Sequence, residues 1–147
     1  MLTILLVWAC ASEPASPEQE VRSVLEKAEA AAEARDLDVL RDLIADDYRD
    51  ERNRGKAQVL GAIQFYFATH RSIHLLRQVK QLTFTEPDRA EVGLLVGMAG
   101  RRAEGATDWS LFRADLYRFD FSLRYEGADD WKVVEAAWRR ASLEEVQ

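Results

Sequence analysis

Two histidines, His70 and His74, are the whole imidazole complement of the chain. A spacing of four would set both on one face of a helix, which is what a zinc pair needs. Ser72 and the β-branched Ile73 fall between them, where a helical period gives way to alternation. The pair is therefore expected to straddle a helix end and a strand start. His70 would close a helix, where a partly cationic ring suits the negative terminus, and His74 would pair across a sheet. No His-Glu-x-x-His sequence occurs, and Gly93-Leu94-Leu95-Val96-Gly97 is a strand with small residues rather than a phosphate loop. No histidine-supported nucleophilic serine is visible either. The sequence calls for no metal and no cofactor. What remains for chemistry is proton transfer, through Asp50, His74 or Asp115 acting with Tyr48 or Tyr117.

The one cysteine, Cys10, excludes an intrachain disulfide and any cysteine-based zinc site. It follows directly on the apolar run at residues 2–9, which is far shorter than the roughly 20 residues that cross a bilayer. That run does fall within the roughly 7–15 residues of a signal-peptide hydrophobic region. Val7-Trp8-Ala9-Cys10 resembles the bacterial lipobox, with a branched apolar residue, a small residue and then the cysteine that is lipidated. The resemblance implies a signal peptide at 1–9, a lipid on Cys10 and a flexible tether at 10–17, where Pro14 and Pro17 disfavour helix. Acyl chains there would hold the chain at a membrane at about 0.8 kcal/mol per buried methylene. Ala11 after the cysteine implies sorting to the periplasmic side of an outer membrane, in a host that has one.

The 147 residues make one ordinary domain, and 48% hydrophobic content is enough for a packed core. Lys and Arg number 20 against 26 Asp and Glu, a net charge of −6, which argues against nucleic-acid binding because phosphate rewards a concentrated basic face.

Beyond the tether the elements follow from period. Apolar residues Val21, Val24, Leu25, Ala28, Ala31 and Ala32 fall at helical spacing over 18–34, and Ser16 with Pro17 starts that helix. A second helix is predicted from Asp36 or Asp38 to Asp46, on the stripe Val39, Leu40, Leu43 and Ile44. Residues 46–50 then lead into a polar loop, and a third helix runs over 56–70 on Val59, Leu60, Ile63, Tyr66 and Phe67. From Ile73 onward the period is two. Strands are predicted over 73–85, 90–99, 111–125 and 131–140, with a turn at 86–89 and a glycine-rich polar stretch at 100–108. Helices followed by hairpin-linked strands give an α+β domain over 18–147, with three N-terminal helices packed on a curved antiparallel sheet that forms a cone.

The order of elements, the helix ending Leu43-Ile44-Ala45-Asp46-Asp47-Tyr48, then Asp50 and Gly55, and the closing strand pair at 117–125 and 131–138 resemble the nuclear transport factor 2-like, cystatin-like α+β roll. The stretch from Tyr48-Arg49-Asp50 to His70-Arg71-Ser72-Ile73-His74-Leu75-Leu76 is similar to bacterial lipoproteins that carry this domain, a resemblance that brings no activity with it. The roll hosts isomerases, dehydratases and binding modules alike. A steroid-isomerase carboxylate would fall near Glu51 or Arg52, in the charged run 49–54, where dense charge means solvent and not a poised base. The first helix supplies no tyrosine. The reading is thus a membrane-anchored periplasmic or cell-surface lipoprotein that binds a small apolar ligand or a protein partner. The expected cone lining is Tyr48, Asp50, Tyr66, His74, Leu76, Met98, Asp115 and Tyr117. A small isomerase or dehydratase using a cone-lining Asp/His/Tyr set is the alternative. Fold analogy adds a homodimer through the sheet face, where Arg118, Asp120, Ser122 and Arg124 alternate.

Overall fold

The structure, a computed structural model, describes residues 12–70, 72–99, 115–128 and 130–147. Cys10, Trp109 and Phe112 lie outside the described residues, as do the apolar leader and the glycine-rich stretch.

Helix α1 spans Pro17–Ala34 and opens on a reciprocal cap: the Gln19 N–H donates to Ser16 Oγ at 3.2 Å, and the Ser16 N–H donates to Gln19 Oε1 at 2.8 Å. It ends on Arg35 in the left-handed region (φ 55°), whose N–H reaches the carbonyls of Ala31 and Ala32. Helix α2, Leu37–Leu43, is capped by the Asp36 carboxylate, which accepts from the N–H groups of Asp38 and Val39. It is shorter than its apolar stripe implies. Ile44 belongs to strand β1, Ile44–Asp50, which pairs in parallel with the last strand of the sheet. Residues 46–50, expected to lead into a polar loop, thus belong to an edge strand. Its exposed Asp46, Asp47 and Arg49 disguised the inward Ile44, Tyr48 and Asp50, and charged side chains are what a sheet edge favours. Helix α3, Lys56–Thr69, is apolar along most of its length and buries Val59 and Leu60.

Strands β2 (His74–Glu86), β3 (Arg89–Ala99), β4 (Leu116–Tyr125) and β5 (Trp131–Arg140) complete a five-stranded sheet in the order β1-β5-β4-β3-β2. All neighbours are antiparallel except β1 and β5. Register shifts in β2–β3 and β4–β5 mark bulges, which bend a sheet and sharpen its twist. Cross-strand rows on the inner face read Val79–Leu94–Phe119–Trp138 and Leu82–Val92–Phe121–Ala136. Val21 and Leu25 of α1 pack on Ala90, Val92, Leu94, Val96, Leu123 and Trp131 to form one core. Ile44 and Tyr48 of β1, Val59 and Leu60 of α3, and Ala136 of β5 form a second. Trp131 ties α1 to the sheet, its indole N–H donating to Glu20 Oε2 at 2.8 Å.

Leu123 is fully buried where α1 meets the sheet. Leu123→Ala should cost about 2–5 kcal/mol, the range for truncating a core leucine. The check is urea unfolding with an unchanged denaturant slope; a loss below about 1 kcal/mol would show this core to be loosely packed.

Candidate functional site

The space between the helices and the inner face of the sheet is floored by aromatic rings. Phe119 stacks on Phe121 with centroids 5.6 Å apart and lies 6.4 Å from Trp138 and 6.2 Å from Tyr117. At the β1 end sits Tyr48, 1% exposed, among Ile44, Val59, Leu60 and Ala136. Among the described residues its hydroxyl has no hydrogen-bond partner. Burial, then the nearby charge of Asp50, pushes its phenol up to about 12, with Arg54 opposing and Glu135 adding to the rise.

Asp50, two residues on, is 5% exposed, and each of its carboxylate oxygens is engaged. Oδ1 accepts from the N–H groups of Arg52 (2.8 Å) and Arg54 (2.9 Å), and Oδ2 accepts from Arg54 Nε at 2.7 Å. Burial alone would raise this carboxyl; the donors from Arg54 and Arg52 outweigh it and hold the acid below its ordinary range. Such a carboxylate is built to stay ionised and in place, which is the reverse of a poised base. The same Arg54 guanidinium lies over the Trp138 ring at 5.0 Å, a cation–π contact that joins the turn to β5.

A second group gathers where β3 ends and β4 begins, near the close of α3. The Met98 N–H donates to the Asp115 carbonyl at 3.0 Å. Tyr66 stacks on His70 at 3.9 Å, and Arg140 lies 5.6 Å over the Tyr117 ring. The Tyr66 phenol is raised by burial first, and then by the charges of Asp115 and Tyr117. His70 follows α3 directly, its Nδ1 2.9 Å from the Tyr66 carbonyl oxygen.

The expected lining thus divides into three. Tyr48 and Asp50 stand together on β1. Tyr66, Met98, Asp115 and Tyr117 gather at the opposite end of the inner face. His74 and Leu76 stand opposite Ala99 and Gly97, on the other side of the sheet from Leu75, Val79 and Met98, which pack against the core. For those two the structure corrects the expectation: alternation along β2 turns them outward and gives the inner position to Leu75. Arg54 and Arg140 are the residues that sequence reasoning missed. Arg54 was hidden in a run of charges, in which an Asp that accepts from the N–H two residues on marks a turn but not its burial.

Among the described residues no group of three or more His, Cys, Asp or Glu is arranged to hold a metal ion. Among the described residues the surface concavities include two. One of about 390 Å³ lies between the end of α1 and α3, lined by Ala34, Arg35, Leu37, Gln64, Phe67 and Ala68. The other, about 320 Å³, is walled by Asp46, Asp47, Arg124, Glu126 and Lys132. Its charges are already spent on one another: Arg124 grips Asp47 at 2.8 and 2.9 Å and Glu126 at 2.7 Å.

This arrangement recurs in solved structures. The fold is the nuclear transport factor 2-like, cystatin-like roll. A cystatin-like domain of unknown function from Nostoc punctiforme is 12% identical, with a TM-score of 0.66 over 91% of this chain and 83% of that one. An NTF-2 like protein of unknown function from Shewanella oneidensis is 15% identical, with a TM-score of 0.62 over 84% of this chain and 98% of that one. A candidate scytalone dehydratase from Novosphingobium aromaticivorans is 10% identical, with a TM-score of 0.65 over 84% and 83%. Identities this low establish the fold and leave activity to the site. No protein-family model and no curated protein matches the sequence.

Two outcomes follow from the β1 end. Tyr48→Phe should leave stability unchanged or raise it by up to about 1 kcal/mol, because it removes a buried hydroxyl that nothing satisfies. Thermal unfolding measures this, and a loss of that size would mean the hydroxyl has a partner. For Asp50, a folded pKa below the unfolded value makes the carboxylate stabilising above about pH 4. Asp50→Asn should therefore lower the urea midpoint at pH 7, and its gap from the unsubstituted chain should start to narrow near pH 4 and close as the pH falls through the lower folded value. A gap independent of pH would assign the loss to shape alone.

Proposed function

We propose that the chain is a lipid-anchored binding protein of the bacterial cell envelope, its roll tethered to a membrane through Cys10 and engaging a small apolar ligand or a protein partner without catalysis. The anchor is supported by the lone cysteine directly after an apolar run. It is supported too by the short distance to α1: the Ser16 cap starts the folded body six residues beyond Cys10, and residues 12–15 are exposed. One observation carries the binding reading. Among the described residues the deepest carboxylate, Asp50, is consumed by its own turn, and the hydroxyl of nearby Tyr48 is joined to no base. An acid–base site needs a base within hydrogen-bond reach of the group it serves.

The alternative, a small dehydratase or isomerase, draws on the other end of the inner face. There Asp115 and Tyr117 act electrostatically on Tyr66, and a candidate dehydratase shares the fold. In that reading Asp115 is the base and the two phenols are donors.

Globomycin treatment should leave the precursor uncleaved, and Cys10→Ser should abolish fatty-acid labelling and change its membrane fractionation. Unchanged processing and fractionation would contradict the anchor. Native mass spectrometry of protein purified from its host should retain a noncovalent adduct if the ligand is small. Turnover lost in Asp115→Asn, with folding intact, would decide for the enzyme.

A further inference from the structure

The outer face of the sheet carries a built contact that neither the cone nor the anchor uses. Gln78, Leu95, Arg118 and Arg139 form one cross-strand row there, from β2 to β5. Leu95 is fully buried on that face, and Leu116, in the adjoining row with Leu76 and Gly97, is 2% exposed. Neither belongs to the two cores under the helices. After β5 the chain turns back: the Ala141 N–H donates to the Leu116 carbonyl at 2.9 Å, and a 3-10 turn follows at Leu143–Val146. Glu145 accepts from both terminal nitrogens of Arg139, at 2.9 and 2.8 Å. Lys80 Nζ donates to the Gln147 carbonyl at 3.0 Å. Arg139 is in β5 and Lys80 in β2, so residues 142–147 form a strap that crosses β4 and β3 along the row holding Leu95 and Arg118. The Arg139 pair, and then the Ser142 N–H, hold the Glu145 carboxyl down to about 2.

We propose that this row is a peptide-docking groove which the strap occupies in cis, and that its partner is a protein segment of the same chemistry: a carboxylate flanked by aliphatic side chains, as in Leu143-Glu144-Glu145-Val146. A guanidinium fork selects a carboxylate by geometry, and Leu95 and Leu116 give an apolar floor. Gly93 keeps that floor flat: a Cβ there would stand 2.3 Å from the Arg118 guanidinium, which rests against the sheet and pairs with Asp120 at 2.8 Å. Gln78 Oε1 is buried on the same row with no donor among the described residues, an acceptor that the N–H of an incoming segment would satisfy. The strap's ionic tether is more than half exposed at Arg139, so it is weak, and a longer segment from another protein displaces it. The inference rests on the reading of the domain as a binding module and supplies its partner chemistry.

The test is an NMR titration of the isotopically labelled full chain with the acetylated, amidated peptide Ser-Leu-Glu-Glu-Val-Gln at millimolar concentration. In the Glu145→Gln chain, whose strap is loosened, the amides of Leu95, Arg118 and Arg139 should shift saturably. The unsubstituted chain should bind at least tenfold more weakly, because its own strap competes. Adding Arg139→Ala, or replacing the peptide's second Glu by Gln, should remove at least tenfold in affinity. No shift in a chain with native resonance dispersion, shifts on the inner face only, or equal affinity for both chains would overturn the proposal. So would a doubled mass in sedimentation, which would make the occupant a second copy of this chain. Leu143→Ser repeats the comparison if Glu145→Gln fails to fold. The titration is done in solution, so a negative result leaves the lipid anchor standing.

Discussion

A buried carboxylate organises the end of the molecule where strand becomes helix. Asp50 closes the turn after β1 by accepting from the Arg52 and Arg54 main chain and from the Arg54 side chain, and that turn sets the start of α3. The guanidinium that satisfies the carboxylate also covers Trp138. A buried charge is tolerable only when it is paired and hydrogen-bonded throughout, and losing one donor would leave the other group desolvated. β1, α3 and β5 are therefore held in one relation, and Tyr48, Val59, Leu60 and Ala136 close around it as a core.

That solution limits the chemistry. The fold offers a concave, aromatic-floored face of the kind that binds apolar molecules, yet its innermost polar pair is committed to structure. The same burial that raises the Tyr48 phenol leaves its hydroxyl with no hydrogen-bond partner among the described residues. Perturbed titration marks functional sites only when geometry brings a partner within reach. In the proposed reading, recognition falls to surfaces: the end of the inner face near Tyr66 and Tyr117, and the outer face crossed by the strap.

Much of the fold was legible in the residues. The Ser16-Pro17 start, the α1 stripe and the period change at Ile73 each stated a local rule that the packing obeys. Two features were hidden for identifiable reasons. β1 carries Asp46, Asp47 and Arg49 on its exposed positions, and seven residues at an edge give too few apolar points for a period of two to show. The charged run 49–54 read as solvent, because nothing local tells a paired buried Asp50 from an exposed one; the turn that buries it exists only once α3 is docked. The site was legible in part. Asp115 and Tyr117 lie near Tyr66, whereas His74 and Leu76 depend on the phase of β2, and a shift of one residue moves every side chain to the other face.

The central claim is that Asp50 is a fixed structural anion and not a proton carrier. Its carboxyl carbon can be followed by NMR as a function of pH in the intact chain. The structure predicts a single titration below the ordinary aspartate range near 3.9, with the Arg54 Nε resonance shifting in step as the pair breaks. A titration at or above that range, rising toward neutrality, would contradict the account and return Asp50 to the cone as a base.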